Sequence, residues 1–380
     1  MPEEAEGMGP RALRVHRLGR VEYQDGLDLM ARAAEAVRAG SPPDTDHLFL
    51  LEHPKVVTLG RAAKARNLLA SPEFLAREGF EVHETDRGGD VTYHGPGQIV
   101  AYPVVDLSGR PDVHRYVADL EEAMIRTCAD YGLAAGRHPE HRGAWVGPGK
   151  IGAVGVHLSR WVSSHGVALN ISPDLADFRL IVPCGIADPR LSVTSLAAEL
   201  AARGRAAPSL AEAEDRLATH LAALFERRRE DASFDLHTVS VVARAEDGRL
   251  LLLRRSEARG GLWQPVTGRI EPGETAHSAA ARELFEETGA AVPVEPLGYR
   301  HGFSLDPRLW HGGEPGLRLV EETAFVAHLG AGFTCRLSAE HVEHGWFTLA
   351  EALEKVRFAG LRRALGLAAA ERAPAAATGR

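Results

Sequence analysis

The chain has 380 residues, a formal net charge of -8 and 44% hydrophobic residues, so it is long enough for two domains and ordinary enough in composition to be globular. The negative balance offers no general field for phosphates, which excludes a nonspecific nucleic-acid or membrane-surface binder. The 3 cysteines, Cys128, Cys184 and Cys335, are widely spaced with no C-x-x-C pair, which points away from a disulfide framework or zinc site and towards a reducing, cytoplasmic setting. The opening MPEEAEGMGPRALRV lacks the basic and apolar regions of a signal peptide, and no apolar run reaches membrane-spanning length.

Arg14 to Arg20 reads as a first strand. Leu27, Met30, Ala34 and Val37 recur at helical spacing until Gly40-Ser41-Pro42-Pro43 ends the helix. His47 to Leu59 is predicted as a β pair broken at His53-Pro54, because proline cannot donate to a ladder. A short helix and strand over Phe74 to Glu84 lead into Arg87 to Gln98, RGGDVTYHGPGQ. Its glycines let backbone amides approach a ligand, and Arg87 and His94 add a cation and a titratable donor. A twisted hairpin turning at Gly95-Pro96 would account for the glycines but not for the Arg, Tyr and His among them.

Ile99 to Leu107 is a buried strand, and Val113 to Leu133 a helix whose apolar stripe includes Cys128, read as core. Lys150 opens the glycine-punctuated strand KIGAVGVH, either as an exposed strand end or as a base. HGVALN, from His165 to Asn170, is a further strand. The chain then reaches Phe178 to Leu196, FRLIVPCGIADPRLSVTSL, where Cys184 follows an apolar run and Pro183 and precedes Gly185. That placement suits a nucleophile whose neighbouring amides face a reacting carbonyl. Taken alone, it equally suits a small buried thiol.

RGGDVTYHGPGQ, GKIGAVGVH, HGVALN and IVPCGI, in that order, resemble the octanoyltransferases of lipoate synthesis, over about residues 11 to 225. The resemblance implies an α+β fold of the biotin/lipoate protein ligase type. It implies transfer of an octanoyl group from octanoyl-acyl carrier protein to a lysine of lipoyl domains, in 2-oxoacid dehydrogenase E2 subunits and glycine cleavage H protein. Cys184 matches the family's cysteine and Lys150 its lysine. Arg87, Gly88, Gly89, Asp90, Val91, Thr92, Tyr93 and His94, with Ala153, Val154, Gly155, Gly166, Val167 and Ala168, are expected to bind the substrate. Asp90 stands where glutamine is more usual, and Gly152 where alanine is. A thiol with a pKa near 8.5 needs a neighbouring base, a role open to Lys150. Exchange of one thioester for another then needs no ATP and no cofactor. The rival on the same fold, an ATP-dependent lipoate or biotin ligase, needs no cysteine.

Ser195 to Arg203 and the stretch from Ser209 to Phe225 read as helices, with serine caps. The charged residues that follow lack apolar period, placing a linker at 229–236 and a first domain at 1–228. A new β pattern starts at His237. Gly268 to Gly289, GRIEPGETAHSAAARELFEETG, has the spacing G-x5-E-x7-R-E-U-x-E-E-x-G-U, U being aliphatic, with Ala290 small at the last position. On a helix Glu283, Glu286 and Glu287 share one face, where a hard divalent cation, Mg²⁺ or Mn²⁺, would relieve their repulsion and polarise a pyrophosphate. Arg282 is expected to orient them.

This stretch is similar to the Nudix box. It implies a Nudix α/β/α sandwich over 237–370, acting on a nucleotide or pterin phosphate, and a disordered tail at 371–380. Trp263 to Gly268, and Glu340-His341 before Trp346, are similar to the dihydroneopterin triphosphate pyrophosphohydrolases. Glu322 is a further candidate ligand or base, against the commoner reading of an exposed strand carboxylate. The alternative for this half is a ligand-sensing or docking module.

Overall fold

In the computed structural model, which describes residues 10–182, 188–306, 317–330 and 332–371, the first apolar alternation forms β1 (Ala12–Arg20), with Leu13 and Val15 fully buried. Helix α1 (Tyr23–Ala39) ends at Gly40 in the left-handed region. The predicted β pair is two strands of different sheets, β2 (Thr45–Glu52) and β3 (Val56–Leu59). Next come α2 (Pro72–Arg77), β4 (Glu81–Glu84), β5 (Val91–His94), β6 (Gln98–Val104) and α3 (Val113–Asp130). β7 (Ala144–Val146), β8 (Gly149–Ser159), β9 (Val162–Asn170) and β10 (Ser192–Val193) follow, then α4 (Leu196–Ala201), α5 (Leu210–Leu224) and β11 (Arg228–Ala232).

The large sheet runs β10-β8-β9-β6-β2-β1-β11 with β7 beside β8, and a small sheet runs β4-β3-β5. Strands β5 and β6 therefore do not form a hairpin: Gly95-Pro96-Gly97 carries the chain from one sheet to the other. Gly97 holds φ +85, and a Cβ there would lie 2.5 Å from the Ser172 carbonyl oxygen. Helices α3 and α5 lay Leu120, Met124, Cys128, Leu217 and Leu221 on the face that carries Leu13, Leu48 and Leu50. The serine caps form as expected, with Ser195 accepting from Ala198 N and Ser209 forming a capping box with Glu212.

The expected linker at 229–236 is corrected by β11, which pairs in parallel with β1 from Ala12↔Arg228 to His16↔Ala232. Its charges are satisfied at the sheet edge. Arg229 and Arg17 both hold Asp215 and Asp231, and Arg227 reaches the fully buried Asp46 at 2.7 Å. Such charges are tolerable on an edge strand.

On the opposite face of β1 and β2, His16 Nε2 lies 3.1 Å from His47 Nδ1, and both rings stack near Phe49. Burial, with Arg14 near both, lowers the pKa of His16 to about 3 and of His47 to about 4. An unfolded chain takes up protons near pH 6.5 that the fold refuses, so stability is lost as pH falls from about 6.5 towards 3, by about 1.4 kcal/mol per pH unit for each histidine kept neutral. Equilibrium unfolding should show this acid limb, and replacing both histidines with glutamine should make it shallower by their share, leaving the part that comes from His53 and His94, which burial lowers to about 4 and about 3.

The chain divides into two compact units at Ser233/Phe234. The second begins with β12 (Leu236–Ala245), β13 (Leu250–Arg255), β14 (Trp263–Gln264), β15 (Val266–Arg269) and α6 (Ala276–Thr288). It ends with β16 (Val294–Ser304), β17 (Leu319–Leu329), β18 (His341–Phe347), α7 (Leu349–Lys355) and α8 (Ala359–Ala370). Its sheet runs β14-β13-β12-β17-β16, with β15 on β12 and β18 on β13. Alternation along β12 sends Val239, Val241 and Ala243 into the core with α6, and Val242 into the core with α7 and α8. Helices thus cover both faces, giving the expected α/β/α sandwich. No helix among the described residues is long and apolar enough to cross a membrane.

Candidate functional site

The motifs of the first half meet at a cavity of about 440 Å³. Arg87, Gly88, Gly89, Asp90, Thr92 and His94 line it, facing Ala153–Gly155 of β8 and Gly166–Ala168 of β9. The antiparallel register sets Ala153 against Ala168, Val154 against Val167 and Gly155 against Gly166, making a wall of small apolar residues. The loop sits directly on that wall, since Gly88 N donates to Val156 O at 2.9 Å and a Cβ on Gly155 would meet Arg87 Cδ at 3.1 Å. Arg87 is buried and donates to Thr58 O at 2.7 Å and to Gly88 O at 3.1 Å, so it staples the loop as well as walling the cavity.

Val91 and Tyr93, expected to bind substrate, do not line the cavity. Successive residues of a strand face opposite ways, so Thr92 and His94 face the cavity while Val91 and Tyr93 enter a core cluster with Leu75 and Phe178. Tyr93 OH donates to Asp177 at 2.7 Å, and Lys55 reaches the same carboxylate at 3.0 Å. This pins the 3-10 turn Asp177–Leu180, from which the chain runs on towards Cys184.

Cys184 falls in 183–187, outside the described residues; its flanks are described. On the entry side Val182 N donates to Asn67 O at 2.7 Å, and Asn67 Nδ2 donates to Asp90 at 2.5 Å. Asp90 thus anchors a loop that also holds the segment 181–182. On the exit side Val193 pairs with Lys150, and Thr194 N donates to Lys150 O at 3.0 Å. Lys150 is 7% exposed, lines the cavity, and carries its Nζ 5.6 Å from the centre of the Trp145 ring. It is therefore not an exposed strand end.

A buried chain of hydrogen bonds runs from the cavity to this strand. Asn170 Nδ2 donates to Thr194 O at 2.9 Å, so its oxygen accepts from Gln98 Nε2 at 2.8 Å. That leaves Gln98 Oε1 to accept from His94 Nδ1 at 2.6 Å. His94 therefore keeps its proton on Nδ1 and Nε2 as an acceptor. Burial, with His53 alongside, lowers its pKa to about 3, so the ring is neutral at pH 7. Tyr102 donates to His53 Nε2 at 2.8 Å, and His165 lies 2.8 Å from Asp86.

Tyr102 and His165 also line the cavity, as do Tyr23 and residues 140–142. Sequence reasoning did not assign these residues to the site. Only the titratable side chain in HGVALN offered a signal. Gly143 was missed too: at φ +118, a Cβ there would meet Gly152 O at 2.2 Å and Lys150 Cε at 2.9 Å, while its amide donates to the buried Glu121 at 2.8 Å. Gly143→Ala should cost about 1–3 kcal/mol of stability and displace the Lys150 stem at the cavity. Thermal unfolding checks the first.

In the second unit α6 starts with a Thr275–Ser278 capping box and ends at Gly289 in the left-handed region. Glu283, Glu286 and Glu287 do share a face, grading from 54% side-chain exposure at Glu286 through 13% at Glu283 to 6% at Glu287. Gly268 is required for close approach, because a Cβ there would lie 1.8 Å from Glu283 Cδ. Arg282 holds Glu274 at 2.8 Å, Glu283 at 2.8 Å and Glu286 at 3.1 Å, and so contacts two of the three carboxylates that it was expected to orient.

Arg282 keeps Glu274 down at about 2, whereas burial and Glu283 push Glu287 up to about 8. Glu287 Oε2 is buried without a hydrogen-bond partner. An acceptor in that state fits a cation. Among the described residues no three His, Cys, Asp or Glu side chains stand close enough together to hold one as arranged, with Glu283 and Glu286 drawn to Arg282. Glu322 is 4% exposed and lies 3.2 Å from His301 Nε2, which corrects the reading as an exposed carboxylate.

The lipoyl protein ligase A/B catalytic domain family matches residues 22–222, and the NUDIX domain family residues 236–365. An octanoyltransferase of Myxococcus xanthus is 48% identical over 368 residues, which cover 94% of this chain and 99% of that protein. Among solved structures, lipoate-protein ligase A bound with ATP is 16% identical, with a TM-score of 0.47 over 58% of this chain and 90% of that one. The dihydroneopterin triphosphate pyrophosphohydrolase of E. coli is 28% identical, with a TM-score of 0.32 over 34% of this chain and 91% of that one.

Proposed function

Because the chain belongs to the octanoyltransferase family and carries a Nudix domain, we propose that its first unit works through an acyl-thioester on Cys184 and its second is a metal-dependent pyrophosphohydrolase. In the first step the Lys150 amine takes the Cys184 proton, and the thiolate attacks the thioester carbonyl of octanoyl-acyl carrier protein. The carrier's thiolate leaves and takes the proton back from Lys150. In the second step a lysine amine of a lipoyl domain, on a 2-oxoacid dehydrogenase E2 subunit or on glycine cleavage H protein, attacks the acyl-cysteine. Lys150 accepts the amine's proton and returns it to the departing Cys184 sulfur. One thioester replaces another before an amide forms, so no ATP enters.

The observation that carries this reading is the pairing of Lys150, buried at the cavity, with the strand that follows the Cys184 segment. The cavity falls within the roughly 300–1,000 Å³ usual for small-ligand pockets, and the apolar wall of β8 and β9 suits an alkyl chain. The neutral His94 adds no charge to it. The test is to mix the full chain with octanoyl-acyl carrier protein and an apo-lipoyl domain without ATP; the lipoyl domain should gain one octanoyl group. A requirement for ATP and free octanoate would favour the ligase reading.

For the second unit the carrying observation is the buried, unpartnered Glu287 Oε2 beside Glu283 on the Nudix helix. Glu283, Glu286 and Glu287 would hold Mg²⁺ or Mn²⁺, which would polarise a pyrophosphate of a nucleotide or pterin phosphate and help orient a water. With the metal present, the full chain should release phosphate or pyrophosphate from one member of a panel of such compounds. Glu287→Gln should lower that rate by about 10²-fold or more. If nothing in the panel turns over, the sensing or docking reading takes its place.

A further inference from the structure

His341, the first residue of β18, is 6% exposed and stands across from Glu287 of α6. Its Nδ1 lies 3.2 Å from Ser338 Oγ, which fixes the ring, while its Nε2 is buried with no hydrogen-bond partner. That nitrogen lies 3.9 Å from Glu287 Oε1, and Glu287 Oε2 is equally unpartnered. The separation is too long for a direct hydrogen bond. A water bridging two groups at ordinary hydrogen-bond lengths would hold them roughly 4.5 Å apart. Two ligands each about 2.1 Å from one ion are instead separated by ~3.0 Å when adjacent and ~4.2 Å when opposite. The observed gap falls inside that interval. Buried polar atoms left unmatched are costly, and His341 Nε2 and Glu287 Oε2 are two such atoms, on side chains that approach to 3.9 Å through Glu287 Oε1, at the buried end of the graded row of carboxylates.

We propose that His341 Nε2 is a nitrogen ligand of the cation held by Glu287, making the Nudix centre a mixed nitrogen and oxygen site. The proposal rests on the metal-dependent reading of the second unit. Imidazole favours late first-row ions over Mg²⁺, so His341 biases the site towards Co²⁺ and Zn²⁺, while Mg²⁺ relies on the carboxylates. The neighbouring Glu340 is engaged elsewhere, 2.8 Å from Arg259 and 3.5 Å from Arg255, so the bias belongs to His341.

The test is pulsed electron paramagnetic resonance of Mn²⁺ bound to the full chain, with and without ¹⁵N-labelled histidine. Directly bound imidazole nitrogen should modulate the echo and change isotope signature with the label. His341→Gln should remove the modulation while Mn²⁺ still binds, and should weaken Co²⁺ by about 10-fold or more with less effect on Mg²⁺. Mn²⁺ that binds, is lost in Glu287→Gln, and shows no histidine nitrogen coupling would overturn the role of His341 and leave the Nudix reading intact. No Mn²⁺ binding above that of Glu287→Gln would overturn both. The wild-type spectrum decides even if the His341 variant misfolds.

Discussion

Replacing Cys184 with alanine should reduce octanoyl transfer to the uncatalysed background, whereas Cys128→Ala and Cys335→Ala should leave it intact. The contrast follows from the environments of the three sulfurs. Cys128 lies on the α3 stripe in the main core, fully buried, and burial pushes its thiol up to about 12. Burial, and secondarily Glu287, also raises the Cys335 thiol. Neither is poised to form the thiolate that attacks a carbonyl. Cys184 differs because its flanking chain is held to Asp90 through Asn67 on one side and to the Lys150 strand on the other. Without its sulfur the acyl group has no covalent stop between carrier and acceptor. Assays of acceptor octanoylation with the three single variants separate these cases; transfer retained by Cys184→Ala would sink the covalent route.

Lys150→Ala should slow both half-reactions by about 10²–10⁴-fold, the range for losing a positioned general base. A lysine held only as a counter-charge would tolerate arginine, which keeps the charge but cannot give up its proton. Lys150→Arg should therefore fail nearly as badly as alanine. Stopped-flow release of carrier thiol gives the first half-reaction, and acceptor mass gain gives the second. If arginine restores most of the rate, Lys150 acts by charge alone.

The motifs were legible because each is local. Six of the eight consecutive residues expected from the RGGDVTYH stretch do line the cavity, and the two that do not, Val91 and Tyr93, were separable in principle by strand alternation. The shared face of the α6 carboxylates could be read from helical spacing for the same reason. What could not be read depends on pairing between distant segments. The charged run after α5 looked like a linker because nothing in it reveals its parallel partner, β1, more than 200 residues earlier. His47 to Leu59 looked like one β unit, although β2 and β3 enter different sheets. Gly143 and Asn67 matter only through contacts with Lys150, Gly152, Asp90 and Val182 that no local pattern encodes.

The most direct measurement of the central claim is intact mass spectrometry of the wild-type chain, quenched after brief mixing with octanoyl-acyl carrier protein and no acceptor. The account predicts one octanoyl group on the enzyme, mapped to the peptide containing Cys184 and discharged when an apo-lipoyl domain is added. An adduct on another residue, or an acceptor that becomes octanoylated while the enzyme never carries the acyl group, would contradict it.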